Sequence, residues 1–204
     1  MIDLDLYLAF LGAVTILMLI PGPNVALIVA NSVGHGTRYG LLTVAGTASA
    51  MVVQLALTII GMTAVLGALG EWFDWLRWAG VLYLLYLGIR QWREPPIDLA
   101  RTRPEPAAIR AIYVRAFLVS LTNPKTLLFY GAFFPQFVRP EMGTAGQVAI
   151  LAASFLALAL VIDGLWAVLP GRARLIARQG RLRQRLSGGL LIGAGIGLAL
   201  ARRR

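Results

Sequence analysis

Long apolar segments with almost no formal charge follow one another along this chain of 204 residues. A helix that crosses the hydrocarbon core of a bilayer needs about 20 mainly apolar residues. Six segments approach or exceed that length, at 6–37, 39–70, 72–89, 116–138, 147–170 and 186–201. They predict an all-α membrane protein with six transmembrane helices, which we number spans one to six.

The amino-acid composition supports a membrane protein and excludes several chemistries. Hydrophobic residues make up 58% of the chain and charged residues only 14%. A soluble domain usually has about 25% charged residues, so too few are present to cover a water-exposed surface. Cysteine is absent, which excludes disulfides, thiolate metal ligands and dithiol redox chemistry. We predict neither a cofactor nor a metal ion.

The net charge of +10 comes mainly from arginines that are concentrated between the spans, at 90–115 and 172–185, and at the C-terminus. Basic residues in short loops indicate the cytoplasmic side of a membrane. Aromatic residues do not alternate with these arginines as they do on a nucleic-acid stacking surface. We therefore predict that the basic segments meet membrane lipid and that nucleic acid is not a partner.

The same charges predict the orientation of the chain. Loops one, three and five should lie in the cytoplasm, which puts the N-terminus outside. The acidic start has no basic segment, so span one is expected to be retained and not cleaved as a signal peptide. The three arginines at 202–204 would then lie outside, against the positive-inside rule, which leaves the side of the C-terminus open.

The segment between spans three and four divides the chain into two halves. It carries mixed charges and the prolines Pro95, Pro96, Pro104 and Pro106, a composition typical of an exposed linker. We assign 1–204 to one membrane domain, with half one at 1–90, a cytoplasmic linker at 91–112 and half two at 113–204. Three spans per half predict two inverted repeats, because a duplicated unit of odd span number enters the membrane upside down.

Span one is interrupted near its middle by Pro21, Gly22, Pro23 and Asn24. Proline has no N–H and its ring clashes with the preceding turn, so the carbonyls of Leu17 and Leu19 lose their helical donors. Unpaired backbone groups cost several kcal/mol each in lipid and persist only where protein or a wet cavity covers them. One proline would indicate a simple kink. Two prolines around a glycine, followed by an amide side chain, predict a discontinuous helix that lines a substrate pathway.

Span four has a second break, at Asn123, Pro124 and Lys125. Pro124 frees the carbonyl of Ser120 at the point where the only lysine of the chain enters the hydrocarbon. A charge at the centre of a membrane helix costs about 2.5–3.5 kcal/mol. We therefore assign these three residues to the substrate pathway. The alternative is that Lys125 snorkels to the membrane surface.

Two polar residues in other spans complete the predicted site. Asp163 is the only acidic residue of span five, and an intramembrane carboxylate is a functional hypothesis by default. Pairing with Lys125 would lower the cost of both charges, and a carboxylate that alternates between paired and protonated states could couple proton entry to substrate exit. The alternative is a static pair that locks two helices. Gln54 of span two is assigned to the pathway, with an interhelical hydrogen bond as the alternative.

The order and spacing of these motifs resemble the lysine exporter superfamily, and within it the homoserine/threonine efflux branch (LysE/RhtB type). The segments that carry the resemblance are 21–24, 34–40, 83–90, 123–125, 135–137 and 163–166. The resemblance implies a six-helix exporter of amino acids or their derivatives in the bacterial cytoplasmic (inner) membrane, driven by proton exchange, with its pathway at the proline-broken helices. Relatives frequently have a histidine where Gln54 stands, and this departure leaves the substrate open.

Other functions fit the residues less well. A metal-ion exporter of the same superfamily needs clustered histidine, cysteine or carboxylate ligands, and the chain has one histidine and no cysteine. An intramembrane hydrolase needs paired carboxylates or a base beside a nucleophile, but only Asp163 lies deep in a span and His35 is expected in a loop. We predict a transporter for an amino acid and protons that is not an enzyme. Its glycine-rich helices permit a homodimer.

Overall fold

The computed structural model describes residues 2–68, 108–139 and 143–169, together with isolated positions between 78 and 93 and between 189 and 196. These ranges are almost entirely helical, with no β-strand among them. The prediction of an all-α membrane protein is confirmed. Most of predicted spans three and six, the linker before residue 108 and the arginine-rich segment 172–185 lie outside the described residues.

The described helices follow the predicted spans, with breaks inside spans one and four. In chain order they are α1 (Leu4–Leu19), α2 (Pro23–His35), α3 (Thr37–Ala68), α4 (Ile109–Leu121), α5 (Pro124–Leu128), a π-helical turn (Phe129–Phe133), a 3₁₀ turn (Phe134–Phe137) and α6 (Thr144–Val168). Helix α4 begins before the apolar run at 116, inside the segment assigned to the linker. The expectation of a loop around His35 is wrong, because α2 continues to that residue and only Gly36, with a φ of 99°, separates it from α3.

Two of the described helices are long and apolar enough to cross a membrane alone, α3 over Thr37–Gly61 and α6 over Thr144–Val168. Helices α1 and α2 pass the same test only as a pair that is bent by 51°. Large apolar side chains on α3 and α6 are exposed, among them Ile60 and Val161. Such contiguous apolar surface is expected where lipid, and not water, surrounds a protein.

The start of span one meets the end of span four. Asp3 caps α1 by accepting hydrogen bonds from the backbone N–H groups of Asp5 and Leu6 at 3.1 and 3.2 Å, and its carboxylate lies 2.8 Å from the guanidinium of Arg139. The backbone hydrogen bond from Leu6, and then the charge of Arg139, hold the pKa of Asp3 below its ordinary value. Spans one and four therefore run antiparallel, as inverted repeats require. The comparison of spans three and six lies outside the described residues.

Helices α3 and α4 run in the same direction and approach closely at a glycine. A Cβ atom on Gly46 would lie 2.6 Å from the backbone oxygen of Tyr113 and 2.8 Å from the Cβ of Ala116. Further along both helices, Gln54 reaches Ser120. Small residues let membrane helices approach closely, and Gly46 does so at this crossing.

Replacing Gly46 with Ala should push α3 and α4 apart, because the new methyl group meets backbone atoms that cannot rotate away. Overpacking of this kind costs about 1–3 kcal/mol, so the purified variant should unfold at a lower temperature in detergent. Gly61→Ala on the same helix is the matched control, since a methyl group added there would have nothing within 4 Å and alanine favours helix. Equal melting temperatures for the two variants would contradict a tight crossing at Gly46.

Candidate functional site

The two helix breaks predicted from the prolines are both present. Helix α1 ends at Leu19, and α2 begins at Pro23 after the extended residue Gly22. Helix α4 ends at Leu121, and α5 begins at Pro124, after which the backbone passes into the π-helical turn. Each break leaves backbone carbonyls at the end of a helix without their usual donors, inside segments that were predicted to lie within the bilayer.

Lys125, which stands at the break in span four, hydrogen-bonds to the carbonyls at the break in span one. Its ammonium nitrogen lies 2.5 Å from the carbonyl oxygen of Leu17 and 2.7 Å from that of Ile20. The Leu17 carbonyl is the one from which Pro21 withholds a helical hydrogen bond. A cation at the C-terminal end of a helix also meets the negative end of the helix dipole. The lysine of span four therefore caps the first half of span one.

Gln54 of α3 hydrogen-bonds to the carbonyls at the break in span four. Its side-chain nitrogen donates to the carbonyl oxygens of Ser120 and Leu121, both at 3.0 Å. The Ser120 carbonyl is the one that Pro124 deprives of its usual helical donor, and it also accepts from the backbone N–H of Asn123 at 3.1 Å. Gln54 is buried and makes the interhelical hydrogen bonds that were the alternative to a place in the pathway. Its side-chain oxygen is buried without a hydrogen-bond partner in the described part of the chain.

The asparagines of the two breaks bind each other. The amide nitrogen of Asn123 donates to the side-chain oxygen of Asn24 at 3.0 Å, and that of Asn24 donates to the hydroxyl of Ser120 at 3.1 Å. The Ser120 hydroxyl in turn donates to the backbone oxygen of Thr47 at 3.1 Å. All three side chains are buried. In this conformation the two amides join α2, α3 and the two ends of the span-four break.

Both breaks open onto one small cavity that Asp163 also lines. Gly22 and Asn24 contribute from span one, Asn123 and Lys125 from span four, and Asp163 from α6. The volume open to water is about 20 Å³, which is room for a water molecule and too little for an amino acid. Four of these five residues were predicted from the sequence to form the pathway and Asp163 to be its coupling group, and they lie around one space.

Lys125 and Asp163 share this cavity, but no salt bridge joins them within the described ranges. The ammonium of Lys125 is held instead by the carbonyls at the end of α1. The Asp163 side chain is only 3% exposed, and its charge is close enough to interact with that of Lys125. The expected direct pair is therefore corrected to two neighbouring charges, because the freed carbonyls offer the lysine nearer partners.

The prolines determine where the helices end, but Pro21 and Pro23 do not line the cavity. Neither Pro21 nor Pro23 belongs to the described lining of the cavity. Pro23 is the first residue of α2, and Pro124 is the first residue of α5, a position where the missing N–H costs nothing and the fixed φ suits a helix. Their effect on the cavity comes through the carbonyls and helix ends that they create.

Comparison with known proteins assigns the family. Residues 15–202 match the family described as LysE type translocator. The chain belongs to this family. A homoserine/homoserine lactone efflux protein of Salmonella typhimurium is 32% identical over 81% of each chain. A leucine efflux protein of Salmonella choleraesuis is 34% identical over 65% of this chain and 63% of its own, and an uncharacterized membrane protein of Vibrio cholerae is 29% identical over 98% and 99%. No solved structure matches.

The family assignment confirms the resemblance that the motifs indicated. Efflux proteins are transporters, so this translocator is not an enzyme. In the described part of the chain, no group of three or more histidine, cysteine, aspartate or glutamate residues lies together. The observation that favours transport is the presence of two interrupted helices around charged groups.

Tyr130 of this translocator was not predicted from the sequence to lie near the site. The side chain is 2% exposed, and its hydroxyl has no hydrogen-bond partner among the described residues. It lies in the π-helical turn Phe129–Phe133, and its ring packs on Phe155 of α6 at a centroid distance of 4.9 Å. Tyr130 is also close enough to Asp163 to interact with its charge. Turns of this kind are frequent at functional sites. The only sequence signal was an aromatic-rich segment directly after the predicted break.

Proposed function

We propose that this translocator exports a small amino acid or amino-acid derivative across the bacterial cytoplasmic membrane in exchange for protons, with the N-terminus outside. The observation that carries the proposal is the convergence of two helix breaks and two opposite charges on one cavity. Discontinuous helices in transporters provide helix ends and unwound carbonyls for charged substrates and coupling ions. Here those elements come from Pro21–Asn24 and from Asn123–Lys125.

The named relatives point to the chemical group that such a cavity would recognise. One is named for homoserine and homoserine lactone and another for leucine. All three compounds carry an α-amino group, but the lactone has no free carboxylate. Backbone carbonyls at the end of α1 and the carboxylate of Asp163 are acceptors that suit an ammonium group. In our proposal the ammonium binds between them, while Asn123 and Lys125 receive a carboxylate when the substrate has one.

Asp163 is the residue that we assign to proton coupling. A buried carboxylate without a hydrogen-bond donor is costly in the charged form, so protonation and an approaching cation both relieve the same cost. Binding of a substrate ammonium and binding of a proton are then mutually exclusive at Asp163. That exclusion is the condition for exchange of one for the other. Gln54 acts as a positioning residue, because it holds the end of α4 and thereby the span-four break.

The cavity volume implies that the helices move during transport. At about 20 Å³ the cavity cannot contain a substrate of the proposed size. The bend of 51° between α1 and α2 is a point at which span one can flex, and the hydrogen-bonded asparagine pair is a place where the first and second halves of the chain can separate. We propose that separation of Asn24 from Asn123 admits the substrate to the space between the two breaks.

Transport by the wild-type protein in proteoliposomes tests the proposal. Vesicles loaded with radiolabelled homoserine, homoserine lactone or leucine should release at least one of these compounds faster when the substrate-free side is made acidic. Vesicles without protein and vesicles with the gradient collapsed by a protonophore are the controls. Release of none of the three compounds would contradict the proposed substrate class, and release that ignores the gradient would contradict proton exchange.

A further inference from the structure

Lys125 occupies the kind of site that an ammonium-bearing substrate needs. We propose that its ammonium group is an internal substitute for that of the substrate. In the empty carrier it fills the carbonyl site at the end of α1, and the incoming ammonium displaces it. This inference rests on the proposed function, because it assigns the occupant of the same site in the absence of substrate.

The geometry at the end of α1 is that of an ammonium receptor. The carbonyl oxygens of Leu17 and Ile20 converge on one nitrogen at 2.5 and 2.7 Å, so two of the three ammonium donors are used. Gly22 lies directly beside the lysine side chain, since a Cβ atom added there would lie 3.5 Å from its Cδ atom. The receptor is backbone, and a free primary ammonium can make the same two hydrogen bonds as the lysine.

An acceptor for the displaced lysine lies in the same cavity. Asp163 lines the cavity with Lys125, and its carboxylate accepts no hydrogen bond from the described residues. The lysine side chain is long and has a compact charge, so rotation about its stem can carry the ammonium from the α1 carbonyls toward that carboxylate. The two oxygens of Asp163 can accept from the lysine and from the substrate ammonium together, and the three donors of the lysine leave one for a substrate carboxylate. Before substrate binds, only the lysine and the α1 carbonyls are paired. After binding, the substrate ammonium pairs with those carbonyls and the lysine pairs with Asp163, so no unpaired carboxylate remains in the loaded carrier.

A lysine that only caps the helix end would behave differently when it is removed. A fixed Lys125 would stabilise the helix end in every state of the protein, and its removal would create an unsatisfied end without any gain in ligand binding. An internal substitute competes with ligand, so its removal must open a site. A tethered group competes at an effective concentration that reaches the millimolar range, and the apparent affinity of the free ligand falls by the fraction of time that the site is filled.

Lys125→Ala with methylammonium is the direct test. Methylammonium should raise the melting temperature of the purified variant and leave that of the wild type unchanged, because only the variant has a vacant carbonyl site. If the lysine fills the site about nine-tenths of the time, the variant should also bind homoserine lactone about tenfold more tightly. Met18→Ala is the matched control, since it enlarges the same cavity without removing a cation, and acetate is the control ion. An equal response of both variants to methylammonium, or no response of Lys125→Ala, would overturn the proposal.

A second measurement needs no substitution. Because Lys125 is the only lysine of the chain, ¹⁵N-lysine labelling gives a single side-chain ammonium resonance. Homoserine lactone should shift that resonance, whereas γ-butyrolactone, the same ring without the amino group, should not. A saturable binding isotherm for the lactone with an unmoved lysine resonance would refute displacement.

These outcomes separate the inference from the proposed function. Methylammonium can stabilise Lys125→Ala even when no tested amino acid is exported. That result would support the carbonyl site and contradict the proposed substrate class. Export can instead depend on the proton gradient while methylammonium fails to stabilise the variant and the lysine resonance does not shift. That result would support the proposed function and refute the role of Lys125 as an internal substitute.

Discussion

Asp163→Asn should abolish the dependence of export on the proton gradient. The amide preserves the size of the side chain but cannot alternate between a charged and a protonated form. A carrier that exchanges one proton per substrate can sustain about a 100-fold accumulation across a pH difference of about two units, which corresponds to about 2.7 kcal/mol. The Asn variant should accumulate nothing beyond equilibrium, as measured by radiolabelled flux into proteoliposomes of wild type and variant.

Counterflow exchange provides the internal control for this prediction. With equal pH on both sides, the variant should still exchange labelled for unlabelled substrate, which shows that it is folded and binds. Asp163→Glu keeps a titratable carboxylate and should retain part of the gradient dependence. If Asp163→Asn accumulates substrate to the wild-type level in response to the gradient, Asp163 is not the coupling residue.

Gln54→Leu should destabilise the protein strongly although the volumes of the two side chains are similar. The change removes the donor shared by the carbonyls of Ser120 and Leu121. Ser120 keeps the backbone N–H of Asn123 as a donor at 3.1 Å, whereas the Leu121 carbonyl has no other donor among the described residues. A buried carbonyl left without a donor costs about 1–3 kcal/mol, so the loss should be about 1–3 kcal/mol. Thermal unfolding in detergent should show a clearly lower transition temperature.

A graded series on α3 makes this prediction specific. Gln54→His keeps a donor at the same helical position and should fall between Leu and the wild type. Val53→Leu changes the neighbouring, exposed side chain and should leave the transition within about 0.5 kcal/mol of the wild type, as is usual for surface changes. If Gln54→Leu behaves like Val53→Leu, the carbonyls at the end of α4 do not depend on Gln54.

The break in each helix could be predicted because its cause is local. A proline removes its own N–H and disturbs the turn before it wherever it stands in a helix, so Pro21 and Pro124 identify the carbonyls of Leu17 and Ser120 as lacking their usual helical donors. The apolar runs likewise identified spans one, two, four and five. The start of α4 was harder to predict, because its first turns at Ile109 carry arginines and do not continue the apolar run.

The partners of those carbonyls could not be predicted, since they come from distant parts of the chain. Lys125 reaches Leu17 across 108 positions, and Gln54 reaches Ser120 across 66. Lys125 was expected to pair with Asp163 on the argument that opposite charges in lipid seek each other. The same physical demand is met in the structure by the end of a helix, because backbone carbonyls at a break are also acceptors and lie closer.

The sequence by itself determined that this chain spans a membrane, that two of its helices are broken, and that one lysine and one aspartate stand within long apolar segments. These properties follow from composition, from the geometry of proline and from the high cost of charge in hydrocarbon. Only the tertiary structure decided that each break is capped by a side chain from another span, that Asn24 and Asn123 bind each other, and that the resulting cavity is too small for a substrate. Those features depend on how the helices pack, and packing is a property of distances between residues that are far apart in the chain.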